Sequence, residues 1–410
     1  SHAYDYFRAA LDLAHGLGDP NAYAQSLNWM GNWYLNQANP QVASNYHQEA
    51  LETFEKEANQ RDLARTLDLL GIVALIGGDI SASVGYYDRA ISLFREMDDQ
   101  TNLVSSLTGR GHAGCSTYSM LTLCSSMLPI TPRQDFAEAE GISRQIGSPS
   151  GEAWVCWSLG ILEIVQGRYG QALEVIRRGL EIATQIRHRE WIVGNRCALG
   201  LLYLQLLAPE LALKQLEPTM NLAEELGSPV WVRGTVGHLA AVYSLLGNYK
   251  QAQMLLESVL TADTLMDTMN KRYCWARRAE LALCQEDAML ALDIIERLIA
   301  TAPGIVPRNV ISFLWKLKGE AFAALDHTEE ALALLGAAVE NAESTGERFL
   351  LWQLHARLGQ LYHKVGRESE AEMQFSNALK HNKELGDTMP AGALKDTFLR
   401  RSQQRLLIKW

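Results

Sequence analysis

No stretch of this 410-residue chain approaches the roughly 18 consecutive apolar residues that a membrane span needs, and no charged-then-apolar leader opens it. There is no basic excess either. Thirty-seven Lys+Arg stand against 47 Asp+Glu, a formal net charge of -10, which weighs against a nucleic-acid surface because phosphate counterions are displaced by a basic face. The six cysteines (Cys115, Cys124, Cys156, Cys197, Cys274, Cys284) form no CxxC and precede no His pair at zinc-finger distance, so they read as reduced thiols acting as small hydrophobes. No Asn-x-Ser/Thr acceptor occurs. Both facts point to a reducing cytoplasm. What is present is a 48% apolar composition, enough for a large packed core, over a length that suits two or three domains or one repeat array.

A repeat decides between these. An apolar residue, then Gly or Ala, then Tyr, Phe or Ala recurs with its small residue at Gly31, Gly71, Gly111, Gly160, Gly200, Ala240, Ala279, Gly319 and Gly359. Successive spacings are 40 residues or one less, except for 49 between Gly111 and Gly160. Twelve residues after most of them comes a second small residue, and four further on a larger one, as in Ala212 with Leu216 or Ala371 with Phe375. A small residue on one helix opposite a small residue on the next lets two backbones approach, with large side chains filling the gaps beside them. One such pair cannot bury its faces alone, so stacking is compulsory. Glycine and proline mark the helix ends, as in Leu226-Gly227-Ser228-Pro229.

Leu358-Gly359-x2-Tyr362 followed by Ala371, Phe375 and Ala378 is similar to the tetratricopeptide pattern, and Leu199-Gly200-x2-Tyr203 with Ala212 and Leu216 repeats it. The resemblance spans essentially the whole chain. It implies an all-α, right-handed superhelical solenoid of antiparallel helix pairs, with about nine 40-residue repeats. Ala3, Phe7 and Ala10 fall at second-helix positions, so a partial repeat comes first and the chain is expected to be a piece of a longer protein. Residues 1–388 are expected to form the superhelix and 389–410 a capping helix, with Leu394, Phe398, Leu406, Leu407 and Trp410 turned inward.

In style the chain resembles the tetratricopeptide sensor domains of bacterial STAND-type regulators, including maltose-responsive activators. Cys156-Trp157-Ser158-Leu159-Gly160 also resembles the Leu-Gly-Asn repeat adaptors that bind extended peptides. These resemblances imply a non-catalytic interaction or sensing domain with a protein or peptide partner, and no nucleic acid, membrane, cofactor or metal. The alternative they imply is a small-molecule effector domain controlling an N-terminal NTPase. No GxxxxGK[ST] occurs within this chain, so any such module lies outside it.

Catalytic signals are weak. Gly109-Arg110-Gly111-His112-Ala113-Gly114 fits GxGxxG, but it lies within a first helix, where Gly111 is the repeat's packing glycine. Gly147-Ser148-Pro149-Ser150-Gly151 has Pro where a nucleophile elbow needs Ser. There is no HExxH, and His355 and His363 read as two surface histidines without a third ligand.

In the family, positions 2, 5, 9, 12 and 13 of the first helix face the concave side. Carried onto this sequence, they put polar residues such as Asn28 and Asp68 in repeats one to three. They give repeats five to seven a bare floor of Gly194, Cys197, Gly234, Gly237 and Ala276. Trp154, Trp157 and Ile161 border it on one side, Tyr273, Phe313 and Lys316 on the other. Bare floor with aromatic borders is how a concave site admits a ligand backbone. Arg233, Arg272, Arg277 and Lys316 are candidate anion partners. Trp275 and Trp315 fall at packing positions.

The long interval holds an insertion near 115–131. Between Arg110 and Arg133 there is no charged residue, in a chain that is 20% charged. The expectation is that the preceding helix runs past its normal end, and that the segment turns at Pro129 and Pro132. It is expected to fold against the groove near Trp154 and Trp157, or to mediate self-association.

Overall fold

Many of the helices begin where a polar side chain satisfies a bare N–H group of the first turn. Asp19, Asn39 and Ser148 accept from the N–H of Ala22, Val42 and Gly151, at 3.1, 3.3 and 3.3 Å, each just ahead of a proline that needs no partner. The turns out of the helices demand one left-handed residue. Gly147 and Gly227 supply it at φ +65° and +64°, but Leu207 takes the same conformation at φ 53°.

The computed structural model describes residues 2–115, 120–122, 130–304 and 310–407. Among these residues the chain is entirely helical, as the repeat implied. A first helix, α1 (His2–Leu17), stands alone. Four antiparallel pairs follow: α2 (Pro20–Asn36) with α3 (Pro40–Lys56), α4 (Gln60–Gly77) with α5 (Ile80–Glu96), α6 (Gln100–Ala113) with α7 (Pro132–Gln145), and α8 (Pro149–Val165) with α9 (Tyr169–Gln185). Five more complete the array: α10 (Arg189–Gln205) with α11 (Pro209–Leu226), α12 (Pro229–Leu245) with α13 (Tyr249–Glu257), α14 (Met269–Cys284) with α15 (Ala288–Ala300), α16 (Ser312–Ala324) with α17 (Thr328–Thr345), and α18 (Arg348–Lys364) with α19 (Glu368–Asp387). A last helix, α20 (Ala393–Leu407), ends the described chain. Each helix packs on its partner and on the next pair, the arrangement of a solenoid.

The repeat's glycines hold the pairs together. A Cβ placed on Gly71 would stand 2.8 Å from the Tyr87 ring, on Gly200 2.5 Å from Leu216, and on Gly359 2.7 Å from Phe375. In every case the intruder is the large residue sixteen positions later, seated where a side chain would otherwise be. In the third repeat Phe136 takes that seat over Gly111, the insertion having delayed it by nine residues.

The solenoid also meets itself. Tyr169 of α9 donates its N–H to Thr388 Oγ1 at 3.1 Å, and its ring stands edge-on to Phe398 of α20 at 6.0 Å, both side chains fully buried. Arg401 donates to the Leu207 carbonyl at 2.6 Å and to both Glu210 oxygens at 3.1 and 3.0 Å. Leu406 packs with Ala356 and Ala378 of the last pair. So α20 covers the last repeat and also reaches back to the fourth and fifth. Trp410 lies outside the described residues.

Further toward the N-terminus, Met269 of α14 packs on a buried cluster that includes Leu75, Ile80 and Val84. Arg272, fully buried, donates to the Thr122 carbonyl through Nε at 2.9 Å and Nη2 at 2.6 Å, and to the Leu298 carbonyl at 2.6 Å.

Two expectations change here. Helix α6 does not run on past its end; it stops at Ala113, with 14 residues against 17 in α2 and 18 in α4. Gly114 makes the stop, because a Cβ there would strike Ile130 and sit 2.8 Å from Pro132, so the chain re-enters directly above it. The described part of the insertion, 120–122, reaches α14 through Thr122 rather than the tryptophans, and Met120 is buried in the main core. Pro129 lies outside the described residues, and Pro132 opens α7.

Candidate ligand-binding face

The first helices of successive repeats line one face, and their side chains divide it into three regions. In repeats one to three the polar residues bond across neighbouring helices. Asn28 Nδ2 donates to Thr66 Oγ1 at 2.8 Å, and Asp68 accepts from Ser105 and Ser106 at 3.0 and 2.6 Å. Burial pushes the Asp68 carboxyl up to about 6, against the pull of the two hydroxyls.

The second region is aromatic. Trp154 stacks on Trp191 at 5.3 Å and 10° between planes, and His188 stacks on Trp191 at 5.3 Å and 11°. Trp157 contacts Trp191, Trp231 and His112 at 6.0, 5.5 and 5.1 Å between centroids. All four tryptophans are half-buried. Burial lowers His112 to about 4, so it is neutral. Trp191 donates to Ser150 Oγ at 3.0 Å. Trp191 and Trp231 were not among the residues expected at the site. Their signal was available: they are 40 residues apart, each three positions ahead of an expected floor glycine.

The expected bare floor is mostly covered. A Cβ on Gly194 would lie 3.3 Å from the Trp157 ring, and one on Gly237 only 2.5 Å from the Tyr273 ring. Tyr273 is 2% exposed and bonds His238 Nδ1 at 2.8 Å. Burial, with Arg277 adding to it, lowers His238 to about 3. Cys197 is buried with its Sγ 3.4 Å from Thr235 Oγ1, and Ala276 is fully buried. Only Gly234 stands clear, with nothing within 4 Å of where a Cβ would be. Ile161 is half-buried against the core. An aromatic side chain on one helix leans over the glycine of a neighbouring first helix and fills the gap it leaves.

The third region is a cavity of about 680 Å³. Arg277, Glu280 and Cys284 of α14 line it, with Phe313, Lys316 and Glu320 of α16, Trp352, Arg357 and Gln360 of α18, and Arg405 of α20. Leu204, Leu207, Leu245, Leu246 and Met120 contribute apolar lining. Phe313 and Lys316 thus lie at the cavity; Trp154, Trp157, Gly194, Gly234 and Tyr273 do not line it.

The Arg277 guanidinium is sandwiched between the rings of Tyr273 and Phe313, at 4.7 and 5.0 Å from their centroids. It pairs with Glu280 at 2.5 Å. Lys316 and Arg357 both reach Glu320, at 3.3 and 2.8 Å. Burial raises the Glu320 carboxyl, but the two cations outweigh it and hold the group below its usual range.

Other expected roles fall away on geometry. Arg272 is committed to carbonyl oxygens in the core, so it does not reach the face as an anion partner. Arg233 is half-buried. His355 is buried, bonded to Gln374 Oε1 at 2.7 Å and stacked on His381 at 5.3 Å, so only His363 is the surface histidine expected. The glycines of the GxGxxG stretch lie under Tyr87, Phe136 and Ile130, with no phosphate-sized opening. Trp275 is buried as expected at its packing position, and Trp315 is half-buried against the core. Among the described residues no group of three or more His, Cys, Asp or Glu could hold a metal ion, and no helix is long and apolar enough to cross a membrane.

Residues 22–96 match the family model described as tetratricopeptide repeat. The glycine seat seen in those residues continues through Gly359, and the chain is a tetratricopeptide-repeat array. No curated protein matches the sequence. Similar solved structures include NprR in complex with its cognate peptide NprX, at 13% identity over 83% of this chain and 98% of that one, with a TM-score of 0.49. They also include Rap protein complexed with competence and sporulation factor, at 13% identity over 90% and 76%, with a TM-score of 0.33. A third is a tetratricopeptide repeat protein from Parabacteroides merdae, at 15% identity over 79% and 96%, with a TM-score of 0.31.

Proposed function

We propose that this tetratricopeptide-repeat array is a non-catalytic, cytoplasmic partner-binding domain of a regulator. Residues 1–388 are its binding superhelix and 389–410 its cap. Its concave face takes an extended peptide or the exposed segment of a partner protein, lying from the aromatic cluster toward the cavity. The observation that carries this is Gly234. On α12 it stands between Trp231, three residues before it in the aromatic cluster, and Gly237, three residues after it under Tyr273, and nothing occupies the space above it. Residues three apart share a helix face, so the clear position lies on the line from the aromatic cluster toward α14. Half-exposed tryptophans are the usual anchors of such interfaces.

A second reading, a compact small-molecule effector site, is favoured by the cavity volume, which falls in the range of roughly 300–1,000 Å³ typical of such pockets.

The test is peptide-display selection on the immobilised chain, followed by affinity measurement on Gly234→Trp. A Cβ there meets nothing within 4 Å, and a tryptophan built on it projects into the clear space. Selected peptides should lose about tenfold or more in affinity, with the melting temperature unchanged. A selection that enriches nothing, or peptides indifferent to the substitution, would refute the groove.

A further inference from the structure

The chain as a whole is acidic, at -10, yet its cavity is not. Among the described residues the charged lining is Arg277, Lys316, Arg357 and Arg405 against Glu280 and Glu320, a local balance of +2. Positive charge gathered in a half-enclosed space of a negative molecule attracts an anion, and low-dielectric walls strengthen that attraction. Two further observations concern buried donors there. Arg277, 6% exposed, has its Nε–H buried without an acceptor among the described residues, beside the Nη1 that pairs with Glu280. Trp352, 3% exposed, buries its indole N–H in the same state. A buried N–H without an acceptor is unfavourable, and both belong to residues lining one space.

The fourth cation comes from a distant part of the chain. Arg405 lies on α20, and its backbone carbonyl accepts from Gln360 Nε2 at 3.3 Å while Gln360 Oε1 accepts from Arg357 at 3.0 Å. That link places α20 beside Arg357 at the cavity's edge.

We propose that this cavity is a carboxylate-binding site completed by α20. A carboxylate held between the α14–α18 cations and Arg405 ties the C-terminal helix to the concave face. The leucines and Met120 of the lining take the uncharged part of the ligand. The carboxylate belongs either to an acidic peptide or to a free small acid. This rests on the concave face being the binding face, as proposed above, but it is read out separately.

The experiment uses the full chain at about 0.15 M salt. The probes are a fluorescent decapeptide alternating Glu and Leu, its Gln-for-Glu counterpart, and succinate. The Glu peptide should bind about tenfold or more tightly than the Gln peptide. Arg357→Gln and Arg405→Gln should each erase most of that preference. Arg89→Gln, the same charge change on an exposed residue of α5 paired with Glu55, should leave it intact. Hydrogen exchange in 393–407 should slow with the Glu peptide, and should not slow in Arg405→Gln. Displacement of the peptide by succinate would assign the site to a free acid, and failure to displace would assign it to peptides; both uphold the carboxylate site. Equal affinity for the two peptides, an equal loss in Arg89→Gln, or no binding of any probe would overturn it. Display-selected peptides lacking acidic residues would sink the carboxylate site and leave the groove standing. Acidic-probe binding indifferent to Gly234→Trp would do the opposite.

Discussion

Two glycines on corresponding helices have opposite jobs. Gly200 is a seat for Leu216, which is fully buried and has no room to retreat. Gly234 faces open space. Gly200→Leu should therefore lower stability by about 1–3 kcal/mol or more, whereas Gly234→Ala should raise it by about 0.5–1 kcal/mol through helix propensity alone. Chemical denaturation of the two variants reads both signs, and a stable Gly200→Leu would contradict the seat. The seats were legible in the sequence, because the large residue follows its glycine at a constant sixteen positions and only the 49-residue interval breaks the count. What lies over a groove glycine was not legible. Gly194 and Gly237 are covered by Trp157 and Tyr273 from other repeats, and where a side chain leans across an interhelical gap depends on the angle between helices, which no linear pattern states. His355 was missed for the same reason: it shares a helix with exposed His363, but it faces His381 on the neighbouring helix.

Among the elements, α20 carries the clearest prediction. Phe398 is fully buried, edge-on to Tyr169 of α9, more than two hundred residues away. Phe398→Ala should cost about 3–5 kcal/mol and release α20 from α9. Hydrogen exchange would then speed up in 393–407 and at the start of α9 together. Faster exchange in α20 alone would mean that the two helices are not coupled through this contact. That a final helix would follow the last repeat was readable from its apolar residues set among Arg and Lys. Its second contact was not, because Tyr169 and Arg401 look like ordinary surface-helix residues until the superhelix brings them round. The end of α6 was misjudged from composition. An uncharged stretch reads as a helix that continues under cover, yet Gly114 halts it by letting Ile130 and Pro132 cross closely above.

At the scale of the whole molecule, the self-contacts should make unfolding more cooperative than in an open solenoid, where each repeat feels only its neighbours. Arg272 is the test. It joins the seventh repeat to the insertion of the third by donating to the Thr122 carbonyl, and Arg272→Met removes that donor while leaving the carbonyl buried. The expected cost is about 1–3 kcal/mol or more, with a calorimetric transition that broadens or splits. One sharp transition at the original temperature would show that the joint carries nothing. The solenoid itself was readable from period alone, but how far round it turns was not. The contacts now supply that figure. Met269 of the seventh repeat meets Leu75 and Ile80 of the second, Thr388 at the end of the ninth meets Tyr169 of the fourth, and Arg401 beyond the ninth meets Leu207 of the fifth. Each pair is five repeats apart, so the array meets itself again after about five repeats. Gaining or losing a single forty-residue unit between the fourth and ninth repeats would leave every helix pair chemically intact. It would also rotate the closing surfaces out of phase with one another, so in this protein copy number is as much a specified quantity as the identity of any residue.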